Sequence, residues 1–367
     1  MITVILTLLF SALFPLSPAL AERPVPAREG RYSLQLGTTY FSTKANYQSG
    51  GGTSTALPTD WKFQNTQIYT QVDFDWSKVF RSYAGFSYAL SESTGSNFGT
   101  PELSIPRSNA GINELWLGSQ AWFHFGRYSL VPQVDLTFPM LRLDLNDKYP
   151  ALGEGALRFR GSSWLVARFG AWQPFAYLGA EYRDGGRSAL LPYSAGVNFR
   201  PGKWWIQTEY RGFAGLTDDK DTSDPTARNS RIIYSKINGG SARFWAVNPA
   251  VSEVALETGL RFSGFNASLG YAQTINGSNF SDGFTVLLAL AYTGRLQSSS
   301  AAAATSDPAP VPTTPNNSTF EITPEEFDES VFKEDDQTQT TVRKKVRQTP
   351  SAEKSLDETQ KELEKLK

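Results

Sequence analysis

Residues 254–271 read Val254-Ala255-Leu256-Glu257-Thr258-Gly259-Leu260-Arg261-Phe262-Ser263-Gly264-Phe265-Asn266-Ala267-Ser268-Leu269-Gly270-Tyr271. Counted by twos, Val254, Leu256, Thr258 and Leu260 share a face with Phe262, while Ala267, Leu269 and Tyr271 share one with Phe265. Glu253, Glu257 and Arg261 take the opposite parity. Alternation of period two predicts a pair of strands, and Ser263-Gly264 predicts the tight turn between them. The two aromatic residues that bracket the turn both lie on the apolar side.

The same arrangement recurs along the chain. Trp76 and Phe80 bracket residues 77–79, and Phe125 and Tyr128 bracket Gly126-Arg127. Phe169 and Trp172 bracket Gly170-Ala171, and Phe199 and Trp204 bracket Arg200-Pro201-Gly202-Lys203. All ten aromatics fall on the more apolar face of their strands. A ring of outward aromatics at one end of a sheet is what a membrane–water interface selects. A sandwich turns its apolar face inward and gains nothing from ringing one rim with Trp, Tyr and Phe.

Twelve alternating segments are predicted, at 31–46, 62–76, 80–92, 111–125, 128–139, 156–169, 172–183, 189–199, 204–216, 251–262, 265–274 and 283–296. Short aromatic-flanked turns alternate with longer connections at 47–61, 93–110, 140–155, 184–188, 217–250 and 275–282. Transmembrane barrels pair short periplasmic turns with long extracellular loops. The expectation is an all-β, transmembrane antiparallel barrel over 22–297, in a Gram-negative outer membrane with both termini periplasmic. Within 217–250, Ile232–Ile237 and Ala242–Val247 flank Gly239-Gly240 as a hairpin inside the loop; read as wall strands they would raise twelve to fourteen.

The parity opposite the aromatics predicts a polar lumen. It collects Asp73 and Asp75 from the second segment, Glu114 from the fourth and Asp135 from the fifth. Arg158, Arg160 and Arg168 come from the sixth, and Glu181 and Arg183 from the seventh. The ninth adds Glu209 and Arg211, and the tenth Glu253, Glu257 and Arg261. On a lipid face each such charge would cost roughly 2–4 kcal/mol at the midplane, so they are expected to face water or one another. An open lumen would use them as a transverse field that filters small hydrophilic solutes. A closed one would neutralise them as a salt-bridged plug, leaving an anchor that displays loops outside and a tail inside.

The flanks read differently. Ile2 to Leu20 is an apolar run ending in Ala19-Leu20-Ala21, a signal peptide over 1–21 with the mature chain beginning at Glu22. Residues 298–319 are a low-complexity linker of Ser, Ala, Pro and Thr. Residues 320–367 are charged and partly helical, with capping boxes at Thr323-Pro324-Glu325-Glu326 and at Ser355 with Glu358. Their place in the topology makes a periplasmic protein or the cell wall the expected partner, beside outer-membrane lipid, lipopolysaccharide and the barrel-assembly machinery.

Other chemistries find no residues. A net charge of −1 gives no basic field for nucleic acid, and the absence of Cys excludes disulfides and thiol nucleophiles. The longest apolar run after the leader, Phe284 to Ala291, is about half a helical span. The single histidine, His124, points inward beside a turn and has no triad partner in the sequence, so no catalytic residue is expected. Asp218, Asp219, Asp221 and Asp224 lack the Gly and terminal Glu of a calcium loop, so neither a metal nor a cofactor is expected.

The last segment, Gly283-Phe284-Thr285-Val286-Leu287-Leu288-Ala289-Leu290-Ala291-Tyr292, alternates and ends in an aromatic, as assembly signals of outer-membrane barrels do. To about residue 296 the chain resembles the porin-like outer-membrane proteins, including the transporter-type barrels of environmental bacteria. The resemblance implies a channel. The chain departs from the pattern by continuing some 70 residues past that strand. About nine residues separate the cleavage site from the first strand, too few for the N-terminal plug of the fatty-acid channels.

Overall fold

A computed structural model describes residues 26–97, 100–143 and 148–296. The expected signal peptide, linker and tail lie outside the described residues. The strands are β1 (Arg31–Tyr47), β2 (Ser54–Ala56), β3 (Lys62–Asp75), β4 (Phe80–Asn97), β5 (Thr100–Ala121), β6 (Phe123–Phe125) and β7 (Tyr128–Pro139). They continue as β8 (Arg158–Ala167), β9 (Trp172–Arg183), β10 (Leu190–Phe199), β11 (Trp204–Gly215), β12 (Ala250–Phe262), β13 (Phe265–Ser278) and β14 (Phe280–Arg295). One helix, α1 (Pro225–Ser235), precedes β12.

Each strand pairs antiparallel with its neighbour, and β14 closes on β1 from Arg31↔Arg295 to Tyr47↔Phe280. With β6 continuing β5 beyond Trp122, and β2 a short loop strand on β1, the closed wall has twelve strands. Closure removes every sheet edge, the condition for crossing a bilayer with strands.

The two faces separate as the alternation predicts. Outward residues include Leu36, Leu117, Leu260 and Leu269, each at least half exposed. Left in water, each such side chain would forgo about 1.5–3 kcal/mol of burial, so a band of them belongs in hydrocarbon. Nine of the ten turn-flanking aromatics are exposed on this face; Phe199 is half-buried between Trp172 and Trp204, at 4.5 and 5.7 Å between ring centroids. Tyr32 and Tyr292 extend the girdle across the β1–β14 seam, through Phe265 5.0 Å from Tyr292. Inside, aromatics lie over glycines directly across the ladder, as Tyr69 over Gly37, Tyr83 over Gly118 and Trp116 over Gly85.

Three sequence expectations change. The 93–110 connection is largely strand: β4 and β5 run to within two residues of each other, far beyond the 9–11 residues that span a bilayer, so the hairpin projects past the wall. Strand conformation also extends into the 275–282 connection, to either side of a bend at Asn279 whose φ is 49°, although β13 and β14 pair with each other only as far as Gln273↔Phe284. The hairpin expected at 229–247 is absent. Asp224 caps a helix there, accepting from the backbone N–H of Thr226 and Ala227, with Pro225 in the first turn. Gly239 and Gly240 do take positive φ, but they turn the chain between α1 and a coil rather than between strands.

Candidate functional site

Several inward rows set opposite charges in register. Asp135 on β7, Arg160 on β8 and Glu181 on β9 form one row. Arg160 donates to Glu181 from Nε at 2.8 Å and from Nη2. In the row above, Arg158 reaches Glu114 of β5 at 2.6 Å. Across the lumen, Arg211 of β11 holds Glu253 of β12 at 3.1 Å. At the end carrying the short turns, Asp75 binds Arg31 and Arg81 at 2.8 and 2.5 Å. Cross-strand neighbours stand about 5 Å apart, so alternating the sign along a row is what lets so many charges share one interior.

Two loops then fold over the other mouth. Segment 236–245, which leaves the wall beside β11 and β12, crosses to β1, β3 and β4 on the far side. Ser93 Oγ donates to the carbonyl of Ile237, Asn46 Nδ2 to that of Gly240, and Ser241 bonds Ser281. Arg243 stacks on Phe41, 3.6 Å from the ring centroid. The loop between β7 and β8 meets it there: the N–H of Ala151 donates to Asn238 at 2.7 Å, and Ser91 Oγ donates to the Ala151 carbonyl. Tyr234 and Trp245 pack against each other at 3.9 Å and are buried with Ala151 and Ile237. The result is a cap standing on wall strands nearly opposite its own attachment.

Glu154 ties the cap to the wall through Arg183, at 3.2 Å. Burial opposes its charge, but the guanidinium groups of Arg183, Arg187 and Arg158 outweigh that and hold its carboxyl below the usual range. Burial pushes Arg243 down to about 10, against the pull of Glu253 and Glu154, so it stays charged at neutral pH. Beneath the cap lies a cavity of about 130 Å³ lined by Glu114, Glu154, Glu181, Glu209 and Glu253 and by Arg158, Arg160, Arg211 and Arg243. Trp164, Tyr177, Phe213 and Phe280 add aromatic surface.

No protein-family model matches the chain, and no curated protein matches it by sequence. Among solved structures it is similar to an outer-membrane channel from Pseudomonas putida F1, with a TM-score of 0.55 at 12% identity, over 76% of this chain and 100% of that one. The KdgM porin gives a TM-score of 0.38 at 7% identity, over 71% and 98%. The NanC porin gives 0.39 at 7%, over 69% and 98%. The chain is an outer-membrane β-barrel.

Within this barrel, Asp73, Asp75, Glu114, Asp135, Arg158, Arg160, Glu181, Arg183, Glu209, Arg211 and Glu253 are buried on the inward face. Glu257 and Arg261 are half-buried nearer the short turns, and Arg168 lies past the end of β8 at the rim. His124 is exposed at that rim and bonds Ser129 through Nδ1 at 2.8 Å. The acidic loop is partly neutralised, Asp219 and Asp221 both binding Arg231.

Sequence reading missed Glu154, Arg243 and the short N-terminal segment. Ala27 is buried with Trp122, Val131, Trp164 and Phe175, inward residues near the short-turn mouth, and the N–H of Arg28 donates to Asp75. So even the few residues before β1 enter the barrel. Only the Asp224-Pro225 cap signal was there to reveal the helix that carries Arg243 to its place.

Proposed function

We propose that this barrel is a passive channel for small hydrophilic solutes, with its short turns and termini on the periplasmic side and its capped mouth outside. The carrying observation is the charge-lined cavity between the wall rows and the cap. Fixed charges of both signs around a water-sized passage favour polar solutes and strip little hydration from them. The cap narrows the wall's opening and sets the size limit. The test is single-channel conductance of the refolded mature protein in a planar bilayer. Reproducible small steps are expected, growing when residues 221–246 are replaced by a short Gly-Ser linker.

A closed anchor is the second reading, favoured by the cap crossing the mouth and by the pairing of most inward charges. It predicts electrical silence from protein that is folded and inserted. In both readings the tail beyond 298 faces the periplasm and docks a partner or the cell wall; unchanged pull-down partners after its deletion would refute that role.

A further inference from the structure

Once the wall pairs are assigned, Glu209 is left without an ion pair. Glu114 holds Arg158, Glu181 holds Arg160, Glu253 holds Arg211 and Glu154 holds Arg183. Glu209, only 7% exposed, makes no ion pair among the described residues and accepts a single hydrogen bond, from Gln207 at 3.1 Å. A buried carboxylate with one neutral donor is costly unless a cation or water completes it.

Its surroundings point to what completes it. On β11, Gln207, Glu209 and Arg211 stand in successive inward rows. Gln207 is in register with Asn198 of β10 on one side and Glu257 of β12 on the other. Glu209 is flanked in its own row by Gly196, over which the Phe175 ring lies, and by the small Ala255, so room is left on the Ala255 side. Asn198 is 1% exposed, and both its amide oxygen and its amide nitrogen lack partners; so does the Gln207 amide oxygen. Buried amides without protein partners are completed by water or by the polar group of a ligand. A void of about 10 Å³ adjoins Gln207, Glu209, Arg211, Ala255 and Glu257, about the room one water-sized group occupies.

We propose that Glu209, with the amide oxygens of Gln207 and Asn198 and the carboxylate of Glu257, forms a subsite for the ammonium group of a solute in transit. The inference rests on the channel reading and makes that channel prefer cationic and amine-bearing solutes to anions. An ammonium fits the acceptors: it brings three donors and one charge in the volume of a water. Arg211 borders the void as well, but its Nε and Nη2 are both committed to Glu253.

The test uses methylammonium as the probe on the refolded full-length barrel, wild type and Glu209→Gln. Folding is first checked by heat-modifiable electrophoretic mobility. Two readouts are taken: reversal potential under a KCl gradient, and broadening of the methylammonium NMR line by barrel in micelles. Wild type should favour potassium over chloride and broaden the line. Glu209→Gln should weaken binding roughly tenfold, the loss of one charge-assisted hydrogen bond, and erase most of the selectivity. Gln207→Met, which leaves every charge in place, should weaken binding less. Conduction with selectivity and line width unchanged in Glu209→Gln overturns the subsite and leaves the channel standing. Broadening that depends on Glu209 in a barrel that never conducts overturns the channel and leaves the subsite. No broadening by wild type overturns the subsite outright.

Discussion

Replacing Arg160 with Met tests whether the wall rows are a stability element or a hydrated decoration. Arg160 sits in register between Asp135 and Glu181, and the Arg160 and Glu181 side chains are only 9% and 6% exposed. Removing one member of a buried pair leaves an uncompensated charge, at a cost of about 3–5 kcal/mol. Here the pair borders a cavity, so water reaches the stranded carboxylates and the lower end, about 3 kcal/mol, is expected. Replacing both partners, as Arg160→Met with Glu181→Leu, should cost only about 1 kcal/mol, because the pair's desolvation penalty leaves together with its attraction and Asp135 keeps its hydrogen bonds from Tyr83 and Gln133. Because Glu181→Leu alone also costs stability, the cycle closes with a coupling of at least about 2 kcal/mol. Urea unfolding of barrel in lipid vesicles, followed by tryptophan fluorescence, measures all four corners. A coupling below about 0.5 kcal/mol would equal that of an exposed pair and refute the reasoning, because the row would then be fully hydrated.

Two further outcomes follow from the geometry. Glu154 has its carboxyl depressed in the folded state, so the anchoring it supplies is complete above the ordinary carboxylate range and is lost as pH falls through its lowered folded value. Channel conductance should therefore rise on acidification below that range, and Glu154→Gln should show the raised conductance at neutral pH; a flat profile in wild type would contradict the anchoring. Gly118→Val places a branched side chain where the Tyr83 ring lies, and should lower stability by about 1–3 kcal/mol through overpacking, read as a fall in the urea midpoint.

The wall was legible because its information is local. Period two is written in each strand, and the aromatic pairs around the turns mark where each strand meets the interface, as at Phe262 and Phe265. The parity that places Arg160 inward needs only neighbours two residues away. The cap was not legible, because its contacts join distant residues: Asn46 to Gly240, Ser241 to Ser281, Ala151 to Asn238. Nothing local at Gly239-Gly240 separates a hairpin from a helix and coil pinned by far walls. The long β4–β5 arm was missed for another reason. Gly95 and Pro106 break the pattern in sequence, yet both lie within the pairing, opposite Ile105 and Thr94.

The cap is nonetheless written into the wall, in its charges. Arg158 and Arg183 are in register across β8 and β9, a like-charge pair that costs stability when left alone. The wall supplies Glu114 for Arg158, but Arg183 finds its carboxylate in Glu154, which belongs to the loop between β7 and β8. The wall therefore carries a cationic row that only the folded-in loop completes. That same loop offers Ala151 to Asn238, so the second, longer loop is held by what the first has docked. The arginine row thus fixes the short loop, and the long loop rests both on the short one and on the wall at Asn46, Ser93 and Ser281. In a barrel built this way the loops set the width of the mouth, while the rows that hold them belong to the wall.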